Sequence, residues 1–128
     1  MDDQWPSPWT RAGLEMCLLA LLDQEGGMHG YRIAVHLSER GLGEVKGGTL
    51  YPALARMEDR DLVARTWTPG ENGPGRKIIA ITGTGRAHLR RTVEQWRSWT
   101  GRVQRLIEPE NIEHDGIEHD GIEQQGEP

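Results

Sequence analysis

The side chains that could do chemistry in this chain are cations, hydroxyls and aromatics, not nucleophiles or metal ligands. Thr49, Tyr51, Pro52 and Arg56 fall on one side of a short helical pattern. Arg65, Arg76 and Lys77 lie on two short β patterns that follow directly. Small, hydroxyl-bearing and basic side chains on an exposed helix can enter a major groove and meet phosphates and base edges. Taken alone, that helix reads equally well as an ordinary solvated face. The basic hairpin beside it favours recognition, because contacts to backbone phosphates supply most of the affinity for nucleic acid.

Catalysis finds no comparable support. Ser7, Ser38 and Ser98 stand in no nucleophile context. Gly70, Gly73 and Gly75 resemble a phosphate-cradling loop by composition only, since they separate two strand patterns and not a strand from a helix. His29 and His36 have no cysteine or carboxylate at ligand spacing, so local hydrogen bonds are expected of them and no metal or other cofactor is implied.

These residues are held by the stretch Gly47 to Ile81, GGTLYPALARMEDRDLVARTWTPGENGPGRKIIAI. Thr49 is a good N-cap, which would put Pro52 in the first turn, where a missing N–H costs nothing. Leu50, Leu54 and Met57 then form one apolar stripe of a helix running to about Arg60. Asp61 occupies the turn. The runs 62–68 and 76–81 are rich in β-branched and aromatic types and read as strands. The glycine- and proline-dense segment 69–75 between them is too long for a tight hairpin, and a mobile tip is expected. Trp67 could stack on the hairpin or pack on the second helix, and packing is expected.

His29-Gly30-Tyr31-Arg32-Ile33, then Gly48-Thr49-Leu50-Tyr51-Pro52-Ala53-Leu54, then Gly75-Arg76-Lys77 ahead of a strand ending in Ile81-Thr82, resemble the PadR family of bacterial transcription regulators. The likeness spans roughly Leu14 to Trp99. It implies a winged helix-turn-helix, a C-terminal dimerisation helix, and repression relieved by a small molecule or another signal. It also implies that Tyr31 lies near the DNA backbone. Two departures stand out. Asp61 stands where the family usually has glycine, and Gly83 where it usually has an acid.

The other elements follow from pattern. A first helix is expected from Trp9 to about Gln24, apolar almost all round from Met16 to Leu22. A second runs from about His29 to Arg40, with Ile33 and Leu37 buried and Gly41 as its stop. A fourth runs from Thr82, a capping residue, to about Ile107. Gly83 and Gly85 should weaken its first turn by roughly 1 kcal/mol each relative to alanine, so that it frays or starts late. Leu89, Val93, Trp96, Thr100, Val103 and Ile107 repeat at alternating spacings of four and three, a coiled-coil-like seam for a partner chain. The plainer alternative packs that seam on the first helix. Trp9, Trp96 and Trp99 could meet there and sandwich a planar hydrophobic effector, or serve simply as interface core.

The chain of 128 residues has a formal charge of −5, but the charge is uneven. All 15 Lys and Arg and 12 of the 20 Asp and Glu precede residue 108, leaving that body at +3 and the tail at −8. The tail repeats Ile112-Glu-His-Asp-Gly as Ile117-Glu-His-Asp-Gly, a five-residue period that fits neither helix nor strand and argues for disorder. Its His114, Asp115, His119 and Asp120 could bind a metal weakly; competition with DNA for the basic face is the better use. Cys17, the one cysteine, sits in an apolar run and reads as a small buried hydrophobe. The acidic N-terminus lacks the pattern of a secretion signal, and no run is long enough to span a membrane, so a cytoplasmic protein is expected.

The expected fold is mainly α (α+β). Residues 1–82 form a winged helix-turn-helix with an N-terminal arm, 83–107 the dimerisation helix, and 108–128 the acidic tail. The expected function is a homodimeric regulator of transcription, a repressor, on double-stranded DNA with an inverted-repeat operator. The rival, kept alive by the acidic net charge, is a winged-helix module that binds protein and has lost DNA binding.

Overall fold

The computed structural model describes residues 7–68 and 76–109, with the side chains of 13–67 and 77–109. The wing tip, the N-terminal arm with Trp5, the pentapeptide repeats and the side chains of Trp9 and Arg76 lie outside the described residues. The elements run in the order α1 (Ser7–Glu25), α2 (Gly30–Glu39), α3 (Gly47–Asp59), β1 (Val63–Thr68), β2 (Arg76–Ile81) and α4 (Gly83–Ile107). The described chain is thus mostly helical with one two-stranded antiparallel sheet, the expected winged arrangement with a long C-terminal helix. It divides into two compact units, one ending at Thr92 and the other beginning at Val93.

The core of the first unit is made by the predicted stripes. Leu18, Leu19 and Leu22 of α1, Ile33 and Leu37 of α2, and Leu50, Leu54 and Met57 of α3 are all buried. Truncating a core leucine of this kind costs about 2–5 kcal/mol, through lost transfer energy and the cavity left behind. The ends of the helices carry their own signals. His29 is the N-cap of α2, its Nδ1 accepting from the Arg32 N–H at 3.4 Å. Gly41 takes a left-handed φ of 80° after α2 and lets the chain close back on it through the Leu42 N–H to the Leu37 carbonyl. Asp61 does the same after α3, with a φ of 62°.

Helix α3 departs from expectation at its start. Its N-cap is Lys46, not Thr49, and the N–H groups of Thr49 and Leu50 both reach the Lys46 carbonyl. Gly47 and Gly48, which a Thr49 cap would leave outside the helix, are its first two residues. Pro52 therefore lies inside α3 and not in the first turn. The helix tolerates it because the carbonyl left without a donor is that of Gly48, close to the helix end.

The wing pairs Val63 with Ile81, Arg65 with Ile79 and Trp67 with Lys77 on one face. The inner end of that face is buried at Val63, Ile79 and Ile81. Its base is widened by an isolated bridge in which Met28 and Ile79 exchange both backbone hydrogen bonds, at 3.0 and 2.9 Å. Nothing in the sequence signalled this bridge.

Helix α4 starts where the cap predicts. The Thr82 hydroxyl accepts from the Gly85 N–H at 2.9 Å and donates to the Asp61 carbonyl at 2.6 Å. The expected weak first turn is not what forms. Gly85 is buried, and a Cβ there would fall inside the Leu62 carbonyl oxygen. Glycine at this position permits a close approach that any other residue would prevent.

In the second unit, Val93, Thr100 and Val103 are half-buried, while Trp96, Trp99, Leu106 and Ile107 are exposed. The Thr100 hydroxyl donates back to the Trp96 carbonyl at 2.8 Å.

Candidate nucleic-acid interface

The outward side of α3 carries Thr49, Tyr51, Pro52, Ala55, Arg56 and Asp59, all exposed. The helix is amphipathic in the way its sequence requires, since Leu50, Leu54 and Met57 hold the opposite side in the core. Beside it, the start of α2, the middle of α3 and the same face of the wing enclose an open groove of about 490 Å³. Four of the predicted residues line this groove together: Tyr31, Tyr51, Arg65 and Lys77. Thr49, Pro52 and Arg56 do not line it and stand on the neighbouring helix face. Arg76 pairs with Thr68 at the outer end of the wing.

Each lining side chain has a local cause. Tyr31 is the second residue of α2, 72 % exposed, with its ring parallel to that of His29 at 6.5 Å between centroids. Tyr51 leans from α3 across Gly30, where a Cβ would come within 2.6 Å of its ring. Lys77 projects from β2 two residues beyond buried Ile79, and so clear of the core.

The cations are not equally available. The Arg65 guanidinium donates to the Glu58 carboxylate at 2.6 Å, and that hydrogen bond, with the charge behind it, raises the guanidinium pKa further still. Arg56 lies 3.9 Å from Glu15 of α1, whose other oxygen takes Arg60 at 2.8 Å. The sequence reading named both arginines as candidates but not their acidic partners, which come from other elements of the fold.

Trp67 corrects the sequence reading. It was expected to pack, and it is 58 % exposed on the outer wall of the groove. Strand alternation gives it the same face as Val63 and Arg65, but it lies beyond the part of the wing that the helices cover.

Other candidate chemistry stays local. The His36 ring and Arg40 are 2.8 Å apart, and Arg40 also donates to Glu25 at 2.6 Å. Among the described residues, no group of three or more His, Cys, Asp or Glu could hold a metal ion. Cys17 is half-buried, and burial pushes its thiol above the ordinary value. Among the described residues, no helix is long and apolar enough to cross a membrane.

Three helices packed under a two-stranded wing, with a polar helix face beside a groove of tyrosines and cations, define a winged helix-turn-helix of the nucleic-acid-binding kind. The model of the transcriptional regulator PadR-like family matches residues 18–91, and the chain belongs to that family. Among solved structures it is similar to a PadR family transcriptional regulator from Eggerthella lenta, with 30 % identity and a TM-score of 0.72 over 79 % of this chain and 87 % of that one. A PadR-like transcriptional regulator from Bacillus cereus shares 31 % identity, with a TM-score of 0.67 over 77 % of this chain and 94 % of the other. An uncharacterized protein X from Lysinibacillus sphaericus is 30 % identical over 88 residues, which is 67 % of this chain and 80 % of that one. Family and fold together support a DNA-binding regulator of transcription and not an enzyme.

Proposed function

We propose that the chain is a homodimeric, sequence-specific repressor that acts in the cytoplasm and is released by a small molecule or another signal. The observation that carries the DNA reading is the meeting of Tyr31, Tyr51 and Lys77 in one groove beside the exposed face of α3. Thr49, Tyr51, Pro52 and Arg56 would face the major groove. Tyr31, Lys77, Arg65 and Arg76 would meet the phosphate backbone.

Residues 1–82 act as the DNA-binding module and 83–107 as the dimerisation helix. The half-buried and exposed apolar residues of α4 from Val93 to Ile107 support the second role, because a lone helix leaves them in water. A two-fold dimer calls for an inverted-repeat operator with half-sites about one helical turn apart. Trp9, Trp96 and Trp99 are the candidate contacts for a planar hydrophobic effector, a role supported by the exposure of the last two. Quenching of tryptophan emission by planar compounds, absent in Trp96→Leu, tests that role. The acidic tail from Glu108 would compete with DNA for the basic face.

The test is affinity for the upstream promoter duplex against random duplex at two salt concentrations. The reading requires salt-sensitive binding with a preference of about a thousandfold or more. Weak binding without preference, unchanged after truncation at Glu108, would favour a protein-binding module instead. The net charge of −5 and the carboxylates already holding Arg56 and Arg65 are the observations on that side.

A further inference from the structure

We propose that Trp67 is a DNA-contacting residue whose indole packs on the deoxyribose of the backbone strand lying between α3 and the wing. This rests on the DNA-binding reading above. Trp67 is 58 % exposed at the outer end of a strand, although a ring of that size normally stays buried unless something covers it. Its cross-strand partner is Lys77, and directly opposed side chains on one sheet face stand within contact range. The two therefore offer a flat apolar surface and a cation side by side. Tyr51 supplies a second half-exposed ring on the α3 side of the same groove.

A partner that fits must present an apolar C–H surface and an anion in alternation along a narrow ridge. A DNA backbone does so, with deoxyribose and phosphate repeating along each strand. A major groove occupied by α3 brings such a strand past the wing. Lys77 then meets phosphate while Trp67 covers the adjacent sugar. The contact reads no base, so it acts on every sequence alike. Because the indole carries no charge, it also releases no counterion.

The experiment titrates promoter and random duplexes at two salt concentrations with the full chain, Trp67→Ala, Trp67→Phe and Lys77→Ala. Trp67→Ala should weaken both duplexes by about tenfold, the scale of one aromatic contact, with the salt slope unchanged. Trp67→Phe should retain most of the affinity while losing part of the change in tryptophan emission that duplex causes. Melting temperatures of both variants should match the parent, because the ring is exposed. Trp67→Ala within about twofold of the parent overturns the proposal while leaving the DNA reading in place. A loss confined to the promoter duplex makes Trp67 a base reader and overturns the sugar contact. A parent chain that binds no duplex overturns both.

Discussion

The ring of Tyr51 rests against the α-carbon of Gly30, so closely that a Cβ on Gly30 would lie 2.6 Å from Cε1 and 2.7 Å from Oη. The two residues belong to the His29-Gly30-Tyr31 and Gly48-to-Leu54 motifs, twenty-one positions apart and on different helices. Gly30 begins α2, and its missing side chain is the space that lets Tyr51 cross from α3 to the groove. Gly30→Ala should push the ring outward. The ring is half exposed and can move, so stability should stay within about 1 kcal/mol of the parent by urea titration. Affinity for DNA should fall by about fivefold, the scale of one hydrogen bond.

Gly85→Ala should behave in the opposite way. Its Cβ would meet backbone, the Leu62 carbonyl, which cannot swing aside. A loss of about 3 kcal/mol is expected, read as a lower urea midpoint at unchanged m value. Gly83→Ala is the control, because nothing lies near that position and the change should be neutral or stabilising.

The two groove cations should separate in a salt titration. Lys77→Ala should weaken all sequences about equally and lower the salt slope by about one. Glu58→Gln should do the reverse, strengthening binding and steepening the slope, because it releases Arg65 from its 2.6 Å ion pair. An unchanged slope in Glu58→Gln would show that Arg65 does not reach phosphate.

Assembly can be read without DNA. Val103 is half-buried on α4 in a row that includes exposed Trp96 and Ile107. Val103→Glu should shift the mass measured by light scattering from dimer to monomer at micromolar concentration. Leu106→Glu is a useful comparison, since Leu106 lies outside the seam spacing and is 80 % exposed.

Cys17 gives a pH-dependent readout. Burial raises its pKa, which means that the protonated thiol is favoured and less thiolate is present at any given pH. Labelling by a thiol reagent at neutral pH should therefore be slower than for a free cysteine and should accelerate on unfolding in urea. Labelling as fast in the folded chain as in the unfolded one would contradict the burial.

Much of this was legible in the sequence. The buried stripes of α1, α2 and α3, the strand pattern, the Thr82 cap and the turn at Asp61 all follow from local rules, because each depends on neighbours within a few residues. What was missed depends on contacts between distant residues. The cap of α3 moved from Thr49 to Lys46, which puts Pro52 inside the helix, because Gly47 and Gly48 take helical conformations. Gly85 looked like a weakness and is a contact with Leu62. Trp67 was expected to pack, whereas it stands in register with Lys77 beyond the covered part of the wing. The candidate cations were named by type and spacing, whereas Glu58 and Glu15, which hold Arg65 and Arg56, were not.

The Met28–Ile79 bridge has a mechanical consequence. It fixes β2 to the residue just before His29, so the root of the wing and the entry to α2 are clamped at one point. Ile78, one residue further toward the tip, still lies close to Gly27, whereas Lys77 is exposed and Trp67 is paired with it by register. Ring and cation therefore stand together on the exposed part of the hairpin and face Tyr51 across the groove. Amide exchange at Met28 and Ile79 should remain slow while the outer pairs of the hairpin exchange.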